Sequence, residues 1–384
     1  MMSLFGFPGA RHVAGLSATM SLRMFGLFVL LPVIAPYARG LEGGSSALLL
    51  GLAVGVYGLT QAALQIPMGL LSDKIDRRMV IAFGLALFIS GGVIAHKATG
   101  IGDLIVGRAF QGAGAIASTV MALTADLVEE RHRSKSMGMI GVGIGLSFAV
   151  AIVAGPPLAA AIGVDWLFAV TAALGALALV PVLMIPRVEP NFRFPSFRRA
   201  IHSLELWKLS AGILIVHFSL AAVFVVVPLE LTKLMPPGDT WKVYAPAFLL
   251  SLLVAIPLIV KNDHKPLRAT TQGVSYLLLA CAAVLLGAAA GNGAWGLGLF
   301  MLLFFAGFNA IESILPAEVS RVSLSAFRGA SMGIYSTCQF AGAFLGAIFA
   351  SQYYGHGGPS GVGYVMSMLL AAWIVVSFIR KEQQ

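Results

Sequence analysis

Few residues of this chain can do chemistry, and the most telling of them sit among apolar neighbours. Glu312 lies inside "LLFFAGFNAIESILP". Burial disfavours a charged carboxylate, so a Glu in such a run can load and release protons near neutral pH. Asn309, three residues earlier, falls on the same helix face. The structural alternative is a Glu held permanently by a neighbouring helix. His217 sits midway along another apolar run. Its ordinary pKa of about 6.5 suits a proton relay, whereas a neutral imidazole donating to a carbonyl would only brace the fold. Arg23 and Arg108 are cations in apolar runs. Arg23 reads as a cavity cation that attracts an anionic group or repels protonated ligands, or as a structural clamp. Arg108 either tunes a nearby carboxyl or braces helix ends. Tyr57, Gln61 and Gln65 recur every four residues, as do Tyr335 and Gln339. One polar face on an apolar helix lines an aqueous cavity or makes interhelical hydrogen bonds. Phe304, Phe305 and Phe308 read as packing rather than a ligand cage.

Other chemistries find no foothold. There is no H-E-x-x-H and no phosphate-binding G-x-x-x-x-G-K-S/T, so neither an enzyme nor an ATP-driven module is expected. Cys281 and Cys338 stand alone within apolar runs and form no metal-ligand spacing. No metal or cofactor is expected.

The elements that must position these residues follow from composition. Only 11% of the 384 residues are charged and 58% are hydrophobic. A soluble domain averages about 25% charged, so lipid must be the solvent for most of the exterior. A membrane span needs about 20 mostly apolar residues. Twelve such stretches occur, at about 13–37, 46–70, 79–98, 103–127, 137–161, 164–186, 208–231, 243–261, 267–289, 294–317, 327–351 and 361–380, with boundaries loose by a few residues. Backbone groups in hydrocarbon must pair within their own segment, so these are helices. The first run is too long for a cleavable signal and is expected to be retained. Small residues at three- and four-residue spacing, "GMIGVGIG" and "GAFLGAIF", predict close-packing faces on spans five and eleven.

Orientation follows from the basic residues. Most of the 25 Lys and Arg fall in loops on one side, and only Arg39, Lys97, Lys233 and Lys242 on the other. The positive-inside rule then puts both termini in the cytoplasm of a bacterial-type inner membrane, which requires an even number of spans. The net charge of +9 is expected to face anionic lipid. Nucleic acid is not an expected partner, because no basic soluble face exists. The longest cytoplasmic connection, "PRVEPNFRFPSFRRAIHSLELW", divides the spans six and six. It reads as an amphipathic surface segment or as a solvated linker. The expected divisions are residues 1–186, a linker at 187–207, and 208–384. Two six-helix groups with a site between them are an architecture of secondary transporters.

Between spans two and three lies "GLLSDKIDRR". It resembles the major facilitator signature G-x-L-x-D-R-x-G-R-K/R. Gly69, Leu71, Asp73, Arg77 and Arg78 match, Lys74 stands for Arg, and Asp76 stands where Gly is usual. "LIVGRAFQGAGA", with Arg108, is similar to the superfamily's span-four motif. "AGPPLAAA" resembles its span-five antiporter motif around Gly155 and Pro156, with alanines in place of several glycines. "SLRMFG", "YGLTQAALQIPMGLLSD", "WKVY", "FNAIESILP" and "GIYSTCQF" are similar to the YajR-type inner-membrane transporters.

The resemblance implies an all-α fold of twelve transmembrane helices in two pseudo-symmetric halves, and a proton-driven exporter moving a small molecule. It also implies that Asp73 and Arg77, beside Gly69, latch the cytoplasmic side, with Asp126 as Arg77's partner. That type carries a soluble domain after span twelve. This chain stops at Gln384, so no role of that domain carries over. The leading expectation is antiport efflux driven by the proton gradient, with Glu312 and His217 handling protons. Arg23, Tyr57, Gln61, Asn309, Tyr335 and Gln339 are expected to line the cavity of a monomer. A uniporter or anion importer with Arg23 as substrate clamp is the alternative, and a non-transporting sensor a remoter one.

Overall fold

The computed structural model describes residues 7–187, 202–323 and 328–379. Among these no strand forms, and the one isolated bridge joins Glu42 and Gly100. The helices are α1 (Ala10–Phe28), α2 (Ile34–Gly40), α3 (Ala47–Ser72), α4 (Arg77–His96), α5 (Ile101–Ala113), α6 (Ala117–Leu127) and α7 (Glu130–Ile162). They continue as α8 (Val164–Leu183), α9 (Leu204–Leu234), α10 (Trp241–Asn262), α11 (Arg268–Gly291), α12 (Gly293–Val322) and α13 (Arg328–Ile379).

Ten described helical stretches are long and apolar enough to cross a membrane, against twelve expected, and both differences have a local cause. The first span is broken. After α1, Leu31 N–H bonds to Phe28 O and Val33 N–H to Leu30 O, both at 3.1 Å, so the chain tightens before α2 starts. Pro32 lacks an N–H, and its ring cannot tolerate a helical carbonyl four residues back. The last two spans follow one another within α13, which is broken at Gly358 (φ 61°, ψ −166°) next to Pro359. Its 52 residues at about 1.5 Å each far exceed a hydrocarbon core of about 30 Å. The left-handed φ, which glycine adopts without a Cβ clash, separates two arms. Span four is also interrupted, between α5 and α6, where Ile116 N–H reaches Gly114 O at 2.9 Å. In the expected linker, residues 188–201 lie outside the described residues, as do Arg380 and Lys381. The rest of that stretch belongs largely to α9. Its helix starts at Leu204 because the Ser203 side chain accepts from Leu206 N–H at 3.2 Å, a standard N-cap.

Large apolar side chains face outward along the bundle, among them Val142, Leu183, Leu253 and Trp295. Lipid is the solvent that makes this stable. Inside, α4 packs on α8, α1 on α7 and α8, and α13 on α9, α3 and α11. The α13–α9 seam depends on glycine: a Cβ at Gly342 would lie 2.1 Å from Leu214 O, and one at Gly346 2.0 Å from Phe218 O. The glycine run on α7 behaves otherwise. Gly138, Gly141 and Gly145 have nothing within 4 Å of an added Cβ, and only Gly143 is tight, against Ser21. That part of α7 turns toward lipid, so within this run the expected packing face shrinks to Gly143.

Phe148 on α7 is the hub of an aromatic cluster. Its ring centroid lies 5.0 Å from Phe28, 6.4 Å from Phe224 (α9), 5.7 Å from Phe248 (α10), and 6.1 Å from both Phe305 and Phe308 (α12). Phe304, Phe305 and Phe308 are buried. Edge-to-face pairs at these separations are favourable packing.

Candidate functional site

The loop between α3 and α4 is built by its own charges. Asp73 is the C-cap residue of α3 and Asp76 the N-cap of α4. Arg77 spans two carboxylates: Nη1 lies 2.8 Å from Asp126 Oδ2 at the end of α6, and Nη2 3.3 Å from Asp73 Oδ1. Burial pushes the Asp73 carboxyl above the usual range; Arg77 opposes this and the nearby Asp126 adds to it. Gly69 leaves ordinary clearance, since an added Cβ would lie 3.4 Å from Ser118 Oγ. Asp76 takes φ −53°, so the position where the signature has glycine needs no left-handed backbone.

A second cluster holds two buried cations. Arg23 on α1 is fully buried. Its Nη2 donates to Tyr57 Oη at 2.9 Å and to Gln61 Oε1 at 2.8 Å, both on α3. Its guanidinium also sits 5.6 Å from the centroid of the Phe88 ring. Gln61 in turn donates to Gln65 at 3.4 Å. Arg108 on α5 lies over the other side of this group, 4.9 Å from the Tyr57 ring centroid. Its Nη1 donates to Gln111 Oε1 at 3.0 Å, and Gln111 donates to Thr171 Oγ1 on α8 at 3.1 Å. Among the described residues neither arginine pairs with a carboxylate within 4.0 Å. Neutral acceptors and aromatic faces carry the charge. Gly155 belongs to the frame around α1: an added Cβ would lie 2.4 Å from Val29 O. Only glycine lets α7, with Pro156 next to it, approach the break that follows α1.

The third cluster joins α9, α12 and α13. Gln339 Nε2 lies 3.0 Å from Glu312 Oε1 and 2.9 Å from His217 Nε2. His217 Nε2 stands 3.7 Å from Glu312 Oε2. His217 is buried, while the Glu312 side chain keeps 35% of its exposure. An amide that donates to both groups leaves His217 Nε2 as acceptor. A small approach of Glu312 would put acid and base in direct contact. Tyr335 is buried nearby on α13, its hydroxyl without a hydrogen-bond partner among the described residues. Asn309 does not join Glu312: it turns to α10 and donates to Ser251 Oγ at 3.1 Å. Residues three apart on a helix diverge by about 60°, enough to face different neighbours. The second and third clusters approach across Phe340, whose ring meets Tyr57 edge-on at 6.4 Å.

Sequence reasoning missed two networks. Glu318 and Arg321 on α12 meet Asp263, Asn262 and Arg268 at the α10–α11 turn. Arg321 lies 2.5 Å from Glu318 and 2.9 Å from Asp263, and Asn262 donates to Glu318 at 3.2 Å. The charged "KNDHKPLR" between spans eight and nine was the available signal. Glu230 is a buried carboxylate, placed inside α9 because that helix runs on to Leu234. Lys233 binds it at 2.9 Å, and Tyr354 on α13 donates to it.

Comparison with known proteins adds an independent line. Residues 16–347 match the family model described as Major Facilitator Superfamily. The chain is 37% identical over 385 residues to the inner membrane transport protein YajR of Escherichia coli K12, covering 98% of this chain and 84% of that protein. It is 31% identical to an uncharacterized transporter of Buchnera aphidicola from Baizongia pistaciae, with 96% of each covered. Among solved structures it is similar to the human organic anion transporter MFSD10, with a TM-score of 0.73 at 16% identity, covering 96% and 99% of the two chains. That last likeness is one of fold.

Proposed function

Since the chain belongs to the major facilitator superfamily, and so is a multi-pass inner-membrane transporter rather than an enzyme, we propose that it couples proton entry to export of a small molecule by alternating access. In this reading residues 1–186 and 208–384 are two pseudo-symmetric bodies that rock as a monomer, with both termini in the cytoplasm. The observation that carries the coupling is the contact set of Glu312, Gln339 and His217: one part-exposed glutamate, one buried imidazole, and an amide touching both. Glu312 takes up the proton and His217 relays it. Arg23, Tyr57 and Gln61 present the polar wall facing them across Phe340, and Arg108 holds Tyr57 in place. Arg77, bound to Asp73 and Asp126, ties the basic end of one body.

The test begins by finding a ligand through thermal stabilisation, since binding only the folded state raises stability. In proteoliposomes, Glu312→Gln is expected to retain counterflow exchange of that ligand and to lose accumulation driven by an imposed pH gradient. A protonophore should collapse accumulation by the wild-type protein. Undiminished gradient-driven accumulation in Glu312→Gln would remove Glu312 from the mechanism.

A second reading is favoured by Arg23, a buried cation without a carboxylate partner among the described residues. Such a group suits a uniporter or anion importer that clamps a negative substrate. Counterflow indifferent to the protonophore, and lost in Arg23→Gln, would select it.

A further inference from the structure

The signature loop departs from its family pattern at Asp76, and the structure shows a specific contact built on that departure. The Asp76 side chain is 7% exposed. Its Oδ1 accepts from Arg78 N–H at 3.0 Å, which caps α4. Both oxygens also hold the Arg78 guanidinium: Nε lies 3.2 Å from Oδ1 and 3.1 Å from Oδ2, and Nη2 2.7 Å from Oδ2. A fork of this kind fixes the plane of the guanidinium. The remaining nitrogen, Nη1, then reaches the neighbouring helix and donates to Ile185 O at 2.7 Å. Ile185 lies just past the end of α8, where backbone carbonyls lack helical partners and carry partial negative charge. Arg187, two residues further on, reaches the same carboxylate, with Nε 3.8 Å from Asp76 Oδ2.

The two arginines of the loop therefore divide their work. Arg77 binds Asp73 and Asp126, at the ends of α3 and α6. Arg78, oriented by Asp76, binds the exit of α8, the point from which the chain leaves toward α9. A glycine at position 76 would supply neither the cap nor the fork, and the φ of −53° does not ask for one.

We propose that Asp76 and Arg78 form a clamp that fastens the exit of α8 to the start of α4. The pull of the connecting chain then passes into the first helix group as a whole instead of fraying the last turn of α8. They are positioning residues for the conformational change and touch no substrate. The proposal rests on the reading that the two groups move against one another. A local contact can bias such a motion only if it differs in free energy between the two arrangements.

The test places spin labels at Arg131→Cys and His264→Cys, both exposed at the basic end on different groups, in a Cys281→Ala, Cys338→Ala background. Distance distributions are recorded in liposomes at acid and alkaline pH. In the protein with native Asp76 and Arg78, two distance populations are expected whose ratio changes with pH. A single invariant distance would overturn the rocking reading and this proposal with it. With two populations present, Asp76→Asn and Arg78→Gln are each expected to change their ratio at least about threefold. Asp76→Asn keeps a side-chain oxygen for the cap, so it tests the clamp even if Arg78→Gln fails to fold. A lower melting temperature with an unchanged ratio would reduce the pair to a cap. An unchanged ratio with unchanged melting would deny it any role.

Discussion

Tyr57 carries two cations at once. Its hydroxyl accepts from Arg23 and its ring face meets Arg108. Tyr57→Phe keeps the ring and removes the acceptor, leaving a buried guanidinium donor unpaired. The expected loss is about 1–3 kcal/mol, read as a lower melting temperature in detergent. Asp76 supplies a pH-dependent case. The Arg78 hydrogen bonds, outweighing burial, hold its carboxyl below the usual range, with Arg187 adding a smaller pull. A carboxylate with a depressed folded-state pKa contributes stability above its unfolded value of about 3.9 and loses it as pH falls through the folded value. The melting-temperature difference between wild type and Asp76→Asn is therefore expected to be constant at neutral pH and to shrink only below the ordinary carboxylate range. A difference that shrinks near neutrality would contradict this origin.

At the level of elements, the seam between α13 and α9 and the outer face of α7 make a matched pair. Gly346→Val puts a branched side chain onto Phe218 O, and a loss above about 3 kcal/mol is expected. Gly141→Ala meets open space and should change the melting temperature little, or raise it slightly through helix propensity. Equal behaviour of the two variants in thermal melts would count against the packing described. Sequence alone located these helices because apolar length is a one-dimensional signal. It placed the division of α13 between residues 351 and 361, where Gly358 bends it. It did not show the break after α1, although Pro32 announced it, nor the one at 114–116, where Gly114 and Ile116 lie against Gly84 of α4. The site was legible in the same uneven way. The types and spacing of Glu312, His217, Arg23 and Gln339 stood out against apolar neighbours. Their partners did not, because Arg23 to Tyr57, Gln339 to Glu312 and Asn309 to Ser251 are contacts between helices whose rotation no single strip of sequence records. The Glu318–Arg321–Asp263 network escaped for the same reason.

For the whole molecule, the distribution of basic loops makes a sided prediction. Single cysteines at Lys74 and His264 are expected to react with a membrane-impermeant maleimide only from the cytoplasmic face, and those at Lys97 and Lys242 only from the opposite face. Reaction of Lys74→Cys and Lys97→Cys from one face would overturn the orientation.

The rings gathered on Phe148 carry an electrical consequence. A dry aromatic plug is an insulator, and a transmembrane voltage falls mostly across whatever excludes water. The His217 ring stands 5.7 Å from Phe308, against that plug. If His217 relays protons as proposed, one that skirts the plug to reach the imidazole crosses a concentrated field, worth up to about 2.3 kcal/mol per 100 mV for a full traverse. Turnover should then respond to voltage alone when no pH difference is imposed, and a Phe148→Ala channel through the insulator should blunt that response.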